Sequence, residues 1–245
     1  MVLNHPNIEL SYNGQSVPIS KSPKHLGLQL SAEPIKADLA ISKSRKTMYA
    51  LMGTGTHGTN GINPIVTRRI WEQYNLPRST HGLEVQIMKD QDLNLLQSHE
   101  VNFFKMYQTL PTFAPNILAY ILVGGKPAKL IIHQRMLTLL MNVNRKNGIE
   151  AEIGRRQLAV KRSNSQSWYH RVNKIANLYK LPNCYTISDE IPWAKRSWKM
   201  VVKNALHEHQ LSLWKAKLSS LPSLSMLNPG FLEVGKPHPV WSTAG

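Results

Sequence analysis

Eleven cationic side chains fall within fifty residues of this chain: Lys126, Lys129, Arg135, Arg145, Lys146, Arg155, Arg156, Lys161, Arg162, Arg171 and Lys174. Side chains of this kind neutralise backbone phosphates without reading base sequence, and the affinity they confer falls steeply as salt rises. Trp168 and Tyr169 lie among them. The chemistry they point to is contact with a polyanion. Sequence alone leaves open whether they converge on one face or surround a helical bundle as solubilising charge.

Other chemistries are weaker. Gly53, Gly55 and Gly58 have the spacing of a dinucleotide-binding turn. That turn works only when a strand feeds it and a helix opens directly behind it. Here a helical pattern precedes the glycines, and Gly61 and Pro64 delay the next helix, so a plain interhelical loop is the better reading. His207-Glu208-His209 lacks the four-residue histidine spacing that would put two metal ligands on one helix face. The close acidic pairs, Asp90 with Asp92, Glu150 with Glu152 and Asp189 with Glu190, each sit near an expected helix start, where negative charge complements the helix dipole. Cys184 is the only cysteine, which excludes an internal disulfide and a Cys-rich zinc site. No catalytic residue, metal ligand or cofactor is assigned.

The charge supports the polyanion reading. Thirty Lys and Arg stand against 14 Asp and Glu in 245 residues, a net charge of +16. Residues 101–188 carry 13 of the cations and only two acids. Such an excess raises the local concentration of nucleic acid. Neither a signal peptide nor an apolar run of membrane-spanning length is evident, so the chain reads as nuclear or cytoplasmic, with no membrane partner.

The elements that must position these residues read as mainly helical. Ile8, Leu10 and Tyr12 alternate with polar residues, Asn13-Gly14 supplies a tight turn, and Val17 and Ile19 return. Leu26, Leu28 and Leu30 suggest a third short strand. Three such strands do not make an independent sheet, and they resemble the edge of a larger one. Helical signals begin at Glu33, with a first helix carrying Ala37, Ile41, Met48 and Leu51 on one face and stopped by Gly53 and Gly55. Further helices are expected from Pro64 to about Tyr74, from Lys89 to Leu110 with Pro111 as the stop, and over 115–123, 127–146 and 150–160. Ser167 to Tyr179 should form another, with Trp168 and Tyr179 as core anchors rather than base-stacking platforms. A last long helix should run from about Pro192 to Ser219, followed by an irregular tail. No internal repeat is visible.

Four phrases in fixed order, HLGLQL at 25–30, THGLEV at 80–85, LPTFAPN at 110–116 followed by LVGGKP at 122–127, and SQSW at 165–168, resemble the segment that follows the catalytic core in reverse transcriptases of non-LTR (LINE-type) retrotransposons. Leu26-Gly27 resembles the strand that ends the palm. Gly82-Leu83-Glu84 resembles the family's Tyr-Gly-Leu-Glu phrase, with His81 in place of the tyrosine. Leu110-Pro111, Gly124 and Pro127 resemble a block of the thumb, Ser167-Trp168 resembles its later Ser-Trp pair, and residues 198–218 look like its post-thumb helix.

The resemblance implies a palm-end β segment over 1–32, a helical thumb-like domain over 33–182, a post-thumb helix over 183–224 and an irregular tail over 225–245. It further implies that the metal-binding aspartates of polymerase chemistry lie upstream of residue 1, and that divalent metal belongs only to a complete parent enzyme. The chain is therefore read as a non-enzymatic reverse-transcriptase fragment. It is expected to contact RNA, DNA or their hybrid, and possible partners include the palm and fingers region of the parent protein. Two alternatives stand beside it: a host-used basic helical nucleic-acid-binding module, and a helical protein-interaction scaffold.

Overall fold

The computed structural model describes residues 11–16, 24–25, 28–29, 36–55, 62–144, 148–160, 167–182, 195–224 and 227–239. Its β content is small. Strand β1 (Ser11–Tyr12) pairs antiparallel with β2 (Gln15–Ser16) across Asn13 and Gly14, both at positive φ, as a tight hairpin requires. Strand β3 (Lys24–His25) pairs with β4 (Leu28–Gln29) in a separate two-stranded ladder. Of the expected third strand, Leu28 lies in β4, and Leu26 and Leu30 lie outside the described residues.

The rest of the described chain is mainly helical: α1 (Ala37–Gly53), α2 (Pro64–Ile70), α3 (Leu76–Ser79), α4 (Asp90–Tyr107), α5 (Asn116–Val123), α6 (Ala128–Asn144), α7 (Ile149–Val160), α8 (Trp168–Leu178) and α9 (Lys195–Ser219). Local chemistry sets several of the ends. Pro64 opens α2 where its missing N–H costs nothing, and the Asn63 side chain accepts the Ile65 amide. Ser167 accepts the amide of His170 at the start of α8. The Lys36 side chain gives α1 no cap, and the carboxylate of Asp92 on α4 accepts the Ala37 N–H instead.

Two helix ends differ from expectation. The helix begun at Pro64 continues past Tyr74 to Ser79 because a π-helical turn, Trp71–Asn75, joins α2 to α3, with the Leu76 amide reaching the Trp71 carbonyl. Widening the ladder one turn ahead accommodates Pro77, which has no amide to give. Helix α4 stops at Tyr107, short of Pro111. Thr109 adopts a left-handed conformation, and the Leu110 amide reaches back to the Lys105 carbonyl in a Schellman closure.

One contiguous core links these helices, from Ala40 on α1 to Val234 near the end of the described chain. An aromatic stack anchors it, with Trp71 on Phe103 at 3.9 Å and Phe103 on Tyr107 at 4.2 Å between ring centroids. Helix α6 lies at the centre, packing on α4, α7, α8 and α9. The Trp198 indole N–H donates to the Leu137 carbonyl and fixes α9 on α6. Among the described residues, no helix is long and apolar enough to cross a membrane.

Candidate nucleic-acid interface

Helix α6 begins beneath a turn whose backbone is tightly specified. Gly124 closes α5 with φ of 69°, a conformation that disfavours a side chain. The buried Arg68 guanidinium donates to the Gly124 carbonyl at 2.9 Å. Residues 232–238 lie across this turn: the His238 amide reaches the Ile121 and Leu122 carbonyls, and Gly235 faces the Lys126 side chain. The turn holds Lys126, and Lys129 follows on the first turn of α6.

Electrostatic coupling shows which groups gather around these lysines. Burial holds the His207 imidazole below its usual range, and Lys126 and Lys203 of α9 add to it while Glu233 opposes them. Lys129 and Arg171 of α8 both act on Asp90, whose carboxyl is lowered first by its hydrogen bond to Arg171 and against its partial burial. The same two cations add to burial in pushing His133 down to about 3. Lys126 is thus near Lys203 of α9 around His207, and Lys129 near Arg171 of α8 around Asp90 and His133, two cation pairs at the start of α6. Lys174 is exposed three residues beyond Arg171.

Several cations already have partners. Arg171 grips Asp90 with two hydrogen bonds, at 2.6 and 3.3 Å. Arg156 pairs with Glu152 one turn away on α7, and both are exposed. Arg135 donates to the Thr80 hydroxyl, so it braces α6 against the loop after α3. Arg155 belongs to α7, but its side chain lies outside the described residues, as do Arg145, Lys146, Lys161 and Arg162 in full. Of the eleven candidates, the described structure brings Lys129 and Arg171 together around Asp90 and His133, while Lys126 lies with Lys203 near His207.

Sequence reasoning missed the contribution of α9. Arg196 and Lys199 are exposed on its first turns, followed by Lys203. The spacing of Lys199, Lys203 and His207 was the available signal, since residues four apart share a helix face.

Two of the resemblance-bearing phrases meet in space. The Trp168 indole N–H donates to the Glu84 carbonyl at 2.7 Å, and Arg171 reaches Asp90 one turn further along α8. Tyr179, at the other end of α8, is buried and shares a hydrogen bond with His133 Nδ1 at 2.8 Å.

The acids and histidines have structural work. Asp92 caps α1, Asp90 holds Arg171, and the Glu150 carbonyl accepts the Tyr169 hydroxyl. Asp189 and Glu190 lie outside the described residues. His209 packs edge-on against Tyr179, whereas His207 faces the Lys126–Lys203 cluster. Among the described residues, no group of three His, Cys, Asp or Glu side chains could hold a metal ion. Comparison with protein-family models, with curated proteins and with solved structures finds no match in any of the three.

Proposed function

We propose that this chain is a thumb-like unit of a non-LTR retrotransposon reverse transcriptase, which contacts nucleic acid through the cation pairs at the start of α6 and does not itself polymerise. The observation that carries the reading is the pairing of cations from separate elements, Lys129 with Arg171 and Lys126 with Lys203, in a strongly basic chain. Phosphate contact needs such a cluster and little else. The contact between the THGLEV and SQSW phrases supports the family reading, because residues distant in sequence would then be paired for one packing purpose. The favoured ligand is an RNA–DNA duplex, as the resemblance implies, and no metal or cofactor is assigned to this chain.

The test is fluorescence anisotropy of a labelled RNA–DNA duplex titrated with the full chain over a range of salt. Binding should weaken linearly in log–log form, and Lys129→Ala and Lys203→Ala should each reduce the slope by about one. A flat salt response, or slopes unchanged by both substitutions, would overturn the interface. Primer extension by the purified chain alone would overturn the non-polymerising half of the proposal.

A further inference from the structure

Helix α1 carries a second basic surface, on a helix that packs against α3 and α4. A groove of about 340 Å³ runs along its outer face, lined by Asp38, Ile41, Ser42, Arg45, Lys46 and Tyr49. Ile41 is half-buried and forms the apolar floor, while Arg45 and Lys46 are exposed beside it. Tyr49 is 64% exposed, although a tyrosine ring contributes most to folding when it is covered. Residues three and four apart are neighbours on a helix surface, so Arg45 and Lys46 both flank the Tyr49 ring.

The chemistry of this surface has two parts, a flat aromatic face and a pair of cations within one helical turn. An occupant that satisfies both must present a planar ring and an anion at a matching interval. A turn of helix rises about 5.4 Å, on the scale of a single extended nucleotide. An acidic peptide would answer the cations and leave the ring bare. A duplex would also leave it bare, because its bases are stacked and paired, whereas a single strand offers a free base next to each phosphate. Charge complementarity points the same way: from Lys36 to Tyr49 there are four cations, Lys36, Lys43, Arg45 and Lys46, against Asp38 alone.

We infer that the α1 groove is a second nucleic-acid site that takes single strands, with Tyr49 stacking on a base while Arg45 and Lys46 hold the adjoining phosphates. This site goes beyond the duplex interface at α6 and shares no residue with it, so either one stands if the other fails.

The experiment is anisotropy of a labelled twelve-nucleotide oligouridine with the full chain at low salt, repeated with Tyr49→Ala, Tyr49→Phe and the double variant R45A/K46A. Loss of stacking should weaken binding about tenfold in Tyr49→Ala, and Tyr49→Phe should retain wild-type affinity because the ring face is kept. The double variant should reduce the salt slope by roughly 1.4, two contacts at about 0.7 each for a single strand. The inference is overturned if the wild-type chain does not bind oligouridine, if Tyr49→Ala binds as tightly as wild type, or if Tyr49→Phe loses as much as alanine does. Capture of an acidic helical peptide through Tyr49 in place of oligouridine would overturn it equally.

Discussion

The indole of Trp168 donates to the backbone carbonyl of Glu84 across 84 residues of chain, at 2.7 Å. The bond ties the first residue of α8 to the turn containing Gly82, which has φ of 78°. Phenylalanine would keep most of the packing and remove the donor. Trp168→Phe should therefore destabilise the fold by about 1–2 kcal/mol, the cost of leaving a partly buried carbonyl without its partner. A urea titration checks this: the midpoint should fall while the slope stays constant.

Glu100 gives the fold a dependence on pH. Its carboxylate is fully enclosed between α4, α5 and α6, where it accepts the Tyr120 hydroxyl at 2.7 Å and the Ala128 amide at 2.8 Å. Burial pushes its pKa from 4.5 up to about 7. The folded protein thus retains a proton that the unfolded chain releases. The stabilisation is complete below about pH 4.5 and is lost as pH rises through about 7. The wild-type protein should lose on the order of 3 kcal/mol across that window from this group, and Glu100→Gln should remove that part of the slope. Chemical denaturation at a series of pH values measures the difference.

The Asp90–Arg171 pair acts in the opposite direction. The Asp90 carboxyl is held below the usual carboxylate range, chiefly by its hydrogen bond to Arg171. Its contribution is present above that range and is lost as pH falls through the depressed value. Because Asp90 is largely exposed and screened by solvent, a double-mutant cycle with Asp90→Asn and Arg171→Gln should return less than about 1 kcal/mol of coupling. High salt should reduce it further.

Gly124 should tolerate no side chain. A Cβ there would run into the backbone of Lys236 and Pro237, and its φ of 69° is strained for alanine. Gly124→Ala should cost more than about 2 kcal/mol, combining the left-handed conformation with displacement of the covering segment. Hydrogen exchange gives the more local check, since the His238 amide should lose the protection it gains from the Ile121 and Leu122 carbonyls.

Helical periodicity made much of this architecture legible. Leu93, Leu96, Phe103 and Tyr107 are all buried on α4, as their spacing requires, and Pro64 and Ser167 stand at real helix starts. The irregular features were not legible. A π-helical turn has no propensity signature of its own, so Trp71–Asn75 read as the end of a helix rather than its middle. Thr109 stops α4 because the chain closes back on Lys105, whereas the sequence drew attention to Pro111 two residues later. The candidate site was legible only as charge. Which cations converge depends on α6 meeting α8 and α9, a relation between distant segments that no local pattern encodes. It brought Lys203 in and turned Arg135 toward Thr80.

The segment that lies across the Gly124 turn also imposes an order on synthesis. Arg68 donates to carbonyls at both Gly124 and Gly235, the second 167 residues later in the chain. A ribosome delivers the first partner long before the second. The nascent helices α2, α4 and α5 therefore emerge with the Leu122 carbonyl and part of the Arg68 guanidinium served only by water, and the packing around the turn closes after residues 232–238 have been translated. Contacts of such long sequence separation are slow to form, because the chain between them must be ordered first. The turn before α6 is thus covered only once residues 232–238 have been made, long after its own residues.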